Sequence, residues 1–262
     1  KNKISLYIRM SLTINEKAEG FKVVATCDGG KTKIGVVETD AVSSVVEEMK
    51  TTMKNQYRLA VDKNTERQIV YVTAPSGSGK SYFTKQFMED YKKAYPKRPI
   101  WIFSSLSEDP TLDKVKGTRR IKIMEEKFMN ADLTAKDFSE SLVIFDDVDV
   151  LSDKFIKKKV QSIFNSISQI GRHHKVSVVY TSHLATNGYE TKNQLNESHS
   201  IVVFPRTAGS KTLKYLLDQY LGFDKHQIRR VKNMNSRWVC INKTYPQVIF
   251  TMDEIYLRGF TE

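Results

Sequence analysis

Cysteine is scarce in this chain of 262 residues: Cys27 and Cys240 are the only two, far apart and without metal-ligand spacing. Two such thiols exclude a disulfide framework and a cysteine-rich zinc site, and suggest a reducing compartment. Acidic residues are outnumbered, with 30 Asp and Glu against 42 Lys and Arg, a formal charge of +12. Long apolar runs are missing too. None approaches the roughly 18 residues that span a bilayer. No charged n-region, apolar h-region and cleavage site open the chain, so neither a membrane span nor a secretion signal is expected. What remains is 40% hydrophobic and 10% aromatic residues, enough for a globular core and too much for disorder. The length suits one large α/β domain, alone or with a small extension. The basic excess points to a polyanionic partner, nucleic acid first, against the plainer reading of a lysine-rich solvated surface.

Residues 1–66 read as a small β-rich element with one helix. Ile4–Ile14 alternates as a strand, and Phe21–Cys27 and Thr32–Val37 flank the hairpin signal Asp28-Gly29-Gly30-Lys31. Asp40 is placed to cap a helix to about Lys54, with Val42, Val45, Val46, Met49 and Met53 as its apolar stripe. Residues 55–66 read as a connection. Over 67–262, strands and helices alternate, which predicts a mostly parallel sheet covered by helices. Expected strands are Arg67–Thr73, Pro99–Ser104, Arg119–Met124, Ser141–Phe145, Val176–Thr181 and His199–Phe204. Ser152 is the expected cap of a long helix carrying Ile156, Val160, Ile163, Ile167 and Ile170 and stopping at Gly171. A polar loop is expected through Asn196, then helices over 210–221 and 224–233. The β stretches Ser236–Ile241 and Gln247–Met252 close the chain.

The stretch that carries chemistry is Ala74-Pro75-Ser76-Gly77-Ser78-Gly79-Lys80-Ser81. A buried strand precedes it, and a helix with Phe83, Phe87 and Tyr91 on one face follows. Strand, glycine loop, Lys-Ser and helix is the context of a phosphate-binding P-loop. Gly77 and Gly79 let backbone N–H groups close on phosphate oxygens, and the helix N-terminus adds partial positive charge. Pro75, Ser76, Gly77, Ser78, Gly79, Lys80, Ser81 and Tyr82 form the expected cradle. Lys80 reaches the β- and γ-phosphates, and the Ser81 hydroxyl ligates Mg²⁺. Ala74 stands where the pattern usually begins with Gly, at a position that shapes the turn without a side-chain contact. The plain alternative is an ordinary Gly/Ser turn.

A second element is Leu142-Val143-Ile144-Phe145-Asp146-Asp147, four apolar residues that deliver two carboxylates to the carboxyl edge of a sheet. Asp146 is placed to hold Mg²⁺ through water beside Ser81, and Asp147 to act as general base on an attacking water. Two aspartates that merely end a strand and cap a helix are the alternative, and Asp149 is a rival base. A third element, Val178-Val179-Tyr180-Thr181-Ser182-His183, ends a strand in polar residues suited to sensing the γ-phosphate, with His183, Ser182 and Thr181 as candidates. Arg172, in Gly171-Arg172-His173-His174, fits an arginine donated across a subunit boundary, or a cation at a helix C-terminus. His173 and His174 have no metal-spaced partners, so zinc is not expected. Basic residues cluster at Lys92, Lys93, Lys97 and Arg98, at Lys154, Lys157, Lys158 and Lys159, and at Lys225, His226, Arg229, Arg230 and Lys232. Any of these lines a nucleic-acid channel or is a solvated helix face.

With these residues in hand, the chain from about Arg67 to Tyr256 resembles the genome-packaging ATPases of large nucleocytoplasmic DNA viruses. These form the poxvirus-type branch of the FtsK–HerA superfamily, within the ASCE/RecA-like P-loop NTPases. The resemblance rests on Ala74–Ser81, Leu142–Asp147 and Gly171-Arg172-His173-His174. It also rests on Leu195-Asn196-Glu197-Ser198-His199 running into Ile201–Pro205, and on Ser236-Arg237-Trp238-Val239. It implies an ATP- and Mg²⁺-dependent motor that drives double-stranded DNA into a preformed capsid. It implies a homo-oligomeric ring, pentamer or hexamer, with Arg172 acting in trans, and capsid vertex proteins as partners. It also implies residence in the host cytoplasm at viral factories, or in the virion. Asp147 stands where many superfamily members have Glu, and Thr181-Ser182-His183 where many have Gln. The resemblance does not cover residues 1–66. The rivals are a nucleic-acid-stimulated ATPase or helicase and an ATP-gated binding module without useful turnover.

Overall fold

The computed structural model describes residues 11–16, 22–39, 45–51, 55–61 and 63–258. The strands in chain order are β1 (Ser11–Glu16), β2 (Lys22–Cys27), β3 (Thr32–Thr39), β4 (Glu48–Lys50), β5 (Arg58–Leu59), β6 (Ile69–Thr73), β7 (Ile100–Ser104), β8 (Thr118–Lys122), β9 (Leu142–Phe145), β10 (Ser177–Ser182), β11 (Ser200–Val203), β12 (Val239–Asn242), β13 (Val248–Phe250) and β14 (Glu254–Leu257). The helices are α1 (Lys80–Ala94), α2 (Glu126–Asn130), α3 (Lys154–Ile170), α4 (Tyr189–Glu197), α5 (Ser210–Tyr215) and α6 (Lys225–Asn233). The fold is α/β, with a mixed sheet flanked by helices and a small β-rich N-terminal region.

The chain divides into two compact units. One takes the chain to Ala60 together with the chain from Tyr245; the other is Val61–Thr244. A division between residues 66 and 67 puts the closing strands with the glycine loop, whereas the contacts group them with the N-terminal strands. In the first unit β1, β3, β2 and β5 form an antiparallel sheet in that order, and β14 pairs antiparallel with both β13 and β4. The β2–β3 hairpin turns as expected through Asp28-Gly29-Gly30, where Gly29 (φ 65) and Gly30 (φ 98) take left-handed angles. The helix expected from Asp40 is not there over its described part. Val45–Glu47 are irregular and Glu48–Lys50 form β4, because pairing with β14 satisfies its backbone groups and β-branched valines suit extended chain. Asp40, Val42, Met53 and Lys54 lie outside the described residues, as does the stretch Ile4–Met10 of the first expected strand. The expected connection over 55–66 contains β5, which pairs with β2 through Leu59 and Arg58.

In the second unit the strands run in the order β12-β11-β6-β10-β9-β7-β8, all parallel except β12. The alternating pattern had required this. Four aromatic residues meet at one register across β7, β9, β10 and β6: Phe103 opposite Phe145, Phe145 opposite Tyr180, and Tyr180 opposite Tyr71. Their ring centroids are 5.0, 5.8 and 6.0 Å apart, all stacked, and Phe164 of α3 closes edge-on against Phe145 and Tyr180. Aromatic pairs of this geometry contribute about 0.5–1.5 kcal/mol each beyond area burial, so the ladder pins the register of the central sheet. Pleating then turns the next residue along to the other face: Ser104 in β7, Asp146 just after β9 and Thr181 in β10.

Three boundaries differ from the sequence expectation. The cap of α3 is Asp153, not Ser152; its carboxylate accepts from the N–H of Phe155 (2.8 Å) and Ile156 (3.0 Å). The expected polar loop before Asn196 contains α4. Its buried face is largely polar, with Thr191 and Gln194 bonded to other side chains and backbone, so hydropathy does not reveal it. The helix beginning at Ser210 widens over Leu216–Tyr220 into a π-type turn. Among the described residues no helix is long and apolar enough to cross a membrane.

Candidate functional site

All five residues of β6 are buried between β10 and β11, so the chain leaves the carboxyl edge of the sheet at a fixed point. The loop that follows turns through Gly77 at φ 76 and Gly79 at φ 108, both disfavoured for any residue with a Cβ. A Cβ at Gly79 would also meet Arg237 Cδ at 3.5 Å and Phe204 at 3.6 Å. Gly79 is the N-cap of α1, whose apolar face buries Phe83, Phe87 and Tyr91. The helix N-terminus therefore opens on the loop. Lys80 is only 6% exposed; its ammonium donates to Ala74 O at 2.9 Å and lies 3.6 Å from Asp147 Oδ1. The Ser78 hydroxyl is buried without a hydrogen-bond partner, as are those of Thr73 and Thr84. An unpartnered buried hydroxyl in a loop that ends at a held ammonium suits an anion with several oxygens. Tyr82, in the first turn of α1, stands 59% exposed.

The carboxylate side is built on β9. Asp146, 6% exposed, accepts from the Ser104 hydroxyl (3.2 Å) on one oxygen and lies 3.2 Å from Thr181 Oγ1 on the other. Burial, and secondarily the Asp147 carboxylate, push Asp146 up to about 6, opposed by the Ser104 hydrogen bond. The Ser81 hydroxyl and the Asp146 carboxylate are oxygen donors of the kind magnesium takes. Among the described residues no group of three or more His, Cys, Asp or Glu forms a metal site by itself.

Asp147 takes φ 47 and ψ 37, a left-handed backbone that aspartate tolerates better than most residues. That turn sends its carboxylate back over the sheet edge, where it meets Lys80, the Thr181 hydroxyl (3.0 Å) and His183 Nε2 (2.9 Å). Its N–H donates to Thr181 Oγ1 at 2.9 Å. Asp149, the rival carboxylate, has a different task. It accepts from the Ser182 hydroxyl (2.8 Å) and the His183 N–H (3.1 Å), so it orders the turn after β10. The three strand-end candidates are thus divided: Thr181 serves both Asp146 and Asp147, His183 serves Asp147, and Ser182 serves Asp149.

Arg172 lies elsewhere. It precedes the first residue of β10, at the amino edge of the sheet, whereas Thr181 and Ser182 end that strand at the carboxyl edge. Its side chain is 70% exposed and pairs with Glu66. Within one chain it stands away from Lys80, across the length of β10.

Two neighbours of the site carry no role in the motif reading. Ser104 reaches Asp146 only because β7 is the neighbour of β9; the polar end of its strand is the single trace in the sequence. Arg237 lies against Gly79, held by Trp238 packing edge-on to Phe83 at 5.1 Å. The sequence marked it only as part of a family motif.

No protein-family model matches the chain. Protein V3 of Sputnik virophage, itself uncharacterized, is 38% identical over 188 residues, covering 70% of this chain and 74% of V3. The chain is similar to the genome packaging NTPase B204 from Sulfolobus turreted icosahedral virus 2, solved in complex with ATP-gammaS. That match is 16% identical, covers 71% of this chain and 97% of B204, and has a TM-score of 0.47. It is also similar to the pCW3 conjugation coupling protein TcpA in its monomer form with ATPgS: 10% identity, 93% and 77% coverage, TM-score 0.49.

Proposed function

The chain belongs to the family of Sputnik virophage protein V3, and from that premise we propose that it is an ATP-hydrolysing motor that translocates double-stranded DNA. The observation that carries this reading is the meeting of Lys80 and Asp147 at 3.6 Å, with Thr181 joining Asp147 to Asp146. A phosphate cradle alone binds nucleotide. A carboxylate placed against the cradle's lysine adds a base for water.

In this reading Pro75 to Tyr82 hold the triphosphate of ATP. Lys80 exchanges its Ala74 and Asp147 contacts for phosphate oxygens, which frees the Asp147 carboxylate. Ser81 and Asp146 would hold Mg²⁺, which would supply charge neutralisation for the phosphate groups. Asp147 accepts the proton of the attacking water as its oxygen bonds to the γ-phosphorus and the bond to ADP breaks. Thr181 and His183 keep the Asp147 carboxylate aimed, and His183 is the strand-end group that reports the state of the γ-phosphate. Arg172 acts on a neighbouring subunit's site, within a homo-oligomeric ring of five or six. The formal charge of +12 suits duplex DNA as cargo. The later motifs suit the poxvirus-type packaging branch, with capsid vertex proteins as partners and the viral factory or virion as the place of work.

The test is steady-state ATPase activity with and without duplex DNA, on wild type, Lys80→Ala and Asp147→Asn. Wild type should hydrolyse ATP faster with DNA. Lys80→Ala should lose nucleotide binding. Asp147→Asn should bind ATP within about threefold of wild type but turn over roughly 10²–10⁴-fold more slowly, the usual share of a general base. A wild-type protein without hydrolysis in any assembled state sinks the motor. Full activity in Asp147→Asn removes its role as base.

A further inference from the structure

The three basic clusters of the sequence are used differently by the fold. In the first, Lys92 donates to the carbonyls of Pro96 and Arg98, both at 2.7 Å, Lys93 pairs with Asp90 at 2.8 Å, and Arg98 pairs with Glu140 and stacks on Tyr95. Those cations finish α1 and its turn. In the third, Lys232 donates to Ser210, and Lys225, His226 and Arg229 are exposed on α6.

The second cluster opens on a cleft of about 750 Å³ between α3 and α4. Lys154, Lys157 and Lys158 line one wall and Lys192 the other, with Asn193 and Asn196 beside it. Lys154, Lys158 and Lys192 make no ion pair or hydrogen bond among the described residues. A ladder of amides fixes the separation of the walls. Asn193 donates to Asn165 at 2.6 Å, and Gln194 donates to Gln161 at 2.8 Å. The floor is apolar, formed by Tyr180 and Val160. Lys154 to Lys158 spans about 6 Å of helix, so one wall presents cations in a row rather than around a point. A row of cations facing a fourth across an open, partly apolar cleft suits a repeating phosphate chain better than one compact anion.

The cleft also touches the nucleotide machinery. Asp149 forms part of its wall. The same carboxylate accepts from His183 N–H at 3.1 Å, His183 Nε2 stands 2.9 Å from Asp147, and Asp147 stands 3.6 Å from Lys80. We propose that the α3–α4 cleft binds the phosphate backbone of duplex nucleic acid, and that Asp149 and His183 connect its occupancy to Asp147. The second half rests on the nucleotide role proposed above for Lys80 and Asp147; the first half does not.

The test uses the full chain and a fluorescent duplex of about 20 base pairs, read by anisotropy without nucleotide across a salt series. The combined variant Lys154→Ala, Lys158→Ala, Lys192→Ala should lose at least about tenfold in affinity, and its log K against log salt slope should shrink by roughly 2.7, three phosphates' worth. Its affinity for a fluorescent ATP analogue should match wild type, which shows that the fold is intact. The control Lys225→Ala, Arg229→Ala, Lys232→Ala should keep both duplex affinity and slope. Equal losses in the two variants, no loss in the cleft variant, or displacement of the duplex by equimolar tripolyphosphate would overturn the site. A wild type that binds the ATP analogue but no duplex would overturn it while leaving the nucleotide reading in place. For the connection, ATPγS should shift wild-type duplex affinity, and Asp149→Asn should still bind duplex and the ATP analogue but lose the shift, since coupling between two sites is reciprocal in binding free energy. An unchanged shift removes Asp149 from the link.

Discussion

Thr181 has one hydroxyl proton and two carboxylates within reach, Asp146 Oδ1 at 3.2 Å and Asp147 Oδ1 at 3.0 Å. It donates to one at a time while accepting from the Asp147 N–H. The hydroxyl therefore does two jobs: it shares the charge of the pair and holds Asp147 in its left-handed turn. Thr181→Val keeps the shape of the buried strand end but leaves the Asp147 N–H and carboxylate without this partner, a cost of about 1–3 kcal/mol. Turnover is expected to fall at least about tenfold, with nucleotide affinity within about threefold of wild type. Thr181→Ser should recover most of the rate. Parallel kcat and binding measurements on the two variants check this, and equal activity in valine and wild type would assign Thr181 to packing alone.

At the scale of elements, α3 is secured at both ends and along its inner face. Asp153 caps its start, Ile156, Val160, Ile163, Phe164 and Ile167 bury its inner face, and the Arg67 guanidinium donates to the carbonyls of Ile167 (2.6 Å) and Ser168 (2.7 Å) at its end. Arg67 precedes β6, so it ties the helix end to the strand that leads into the glycine loop. Arg67→Ala should lower the urea midpoint by the equivalent of about 1–3 kcal/mol, since carbonyls that lose a charged donor are only partly rehydrated. Arg67→Lys should recover part of that, because an ammonium lacks the planar fork that serves two carbonyls at once. The periodic apolar face of α3 and the valine-rich β10 are plain in the sequence, since they bury one continuous surface. The polar inner face of α4 and the three-residue β4 are not, because amide ladders and a strand partner far along the chain leave no local pattern.

At the scale of the whole molecule, the proposed ring makes subunits depend on one another. Arg172 stands at the amino edge of the sheet and the cradle at the carboxyl edge, so a site completed by Arg172 would need a second copy. Doping wild type with Lys80→Ala subunits at equal parts should therefore cut DNA-stimulated ATPase activity below half. Independent subunits would give half, and that result would remove any shared site. Arg172→Ala mixed with wild type in the same way should behave alike if the arginine works across the boundary.

The sequence by itself determined the glycine loop between a buried strand and an amphipathic helix, and the alternation of most strands and helices that follow it. Left-handed glycines, a buried strand before them and an amphipathic helix after them are local requirements, visible wherever they occur. It also placed two aspartates at a strand end. Only the tertiary structure decided which groups those aspartates meet. Thr181 reaches both because β10 lies beside β9, Ser104 reaches Asp146 because β7 is the other neighbour, and Asp147 rather than Asp149 meets Lys80 because its backbone turns left-handed. Strand order and register are long-range pairings, set here by an aromatic ladder across four strands, and no single stretch of chain contains them.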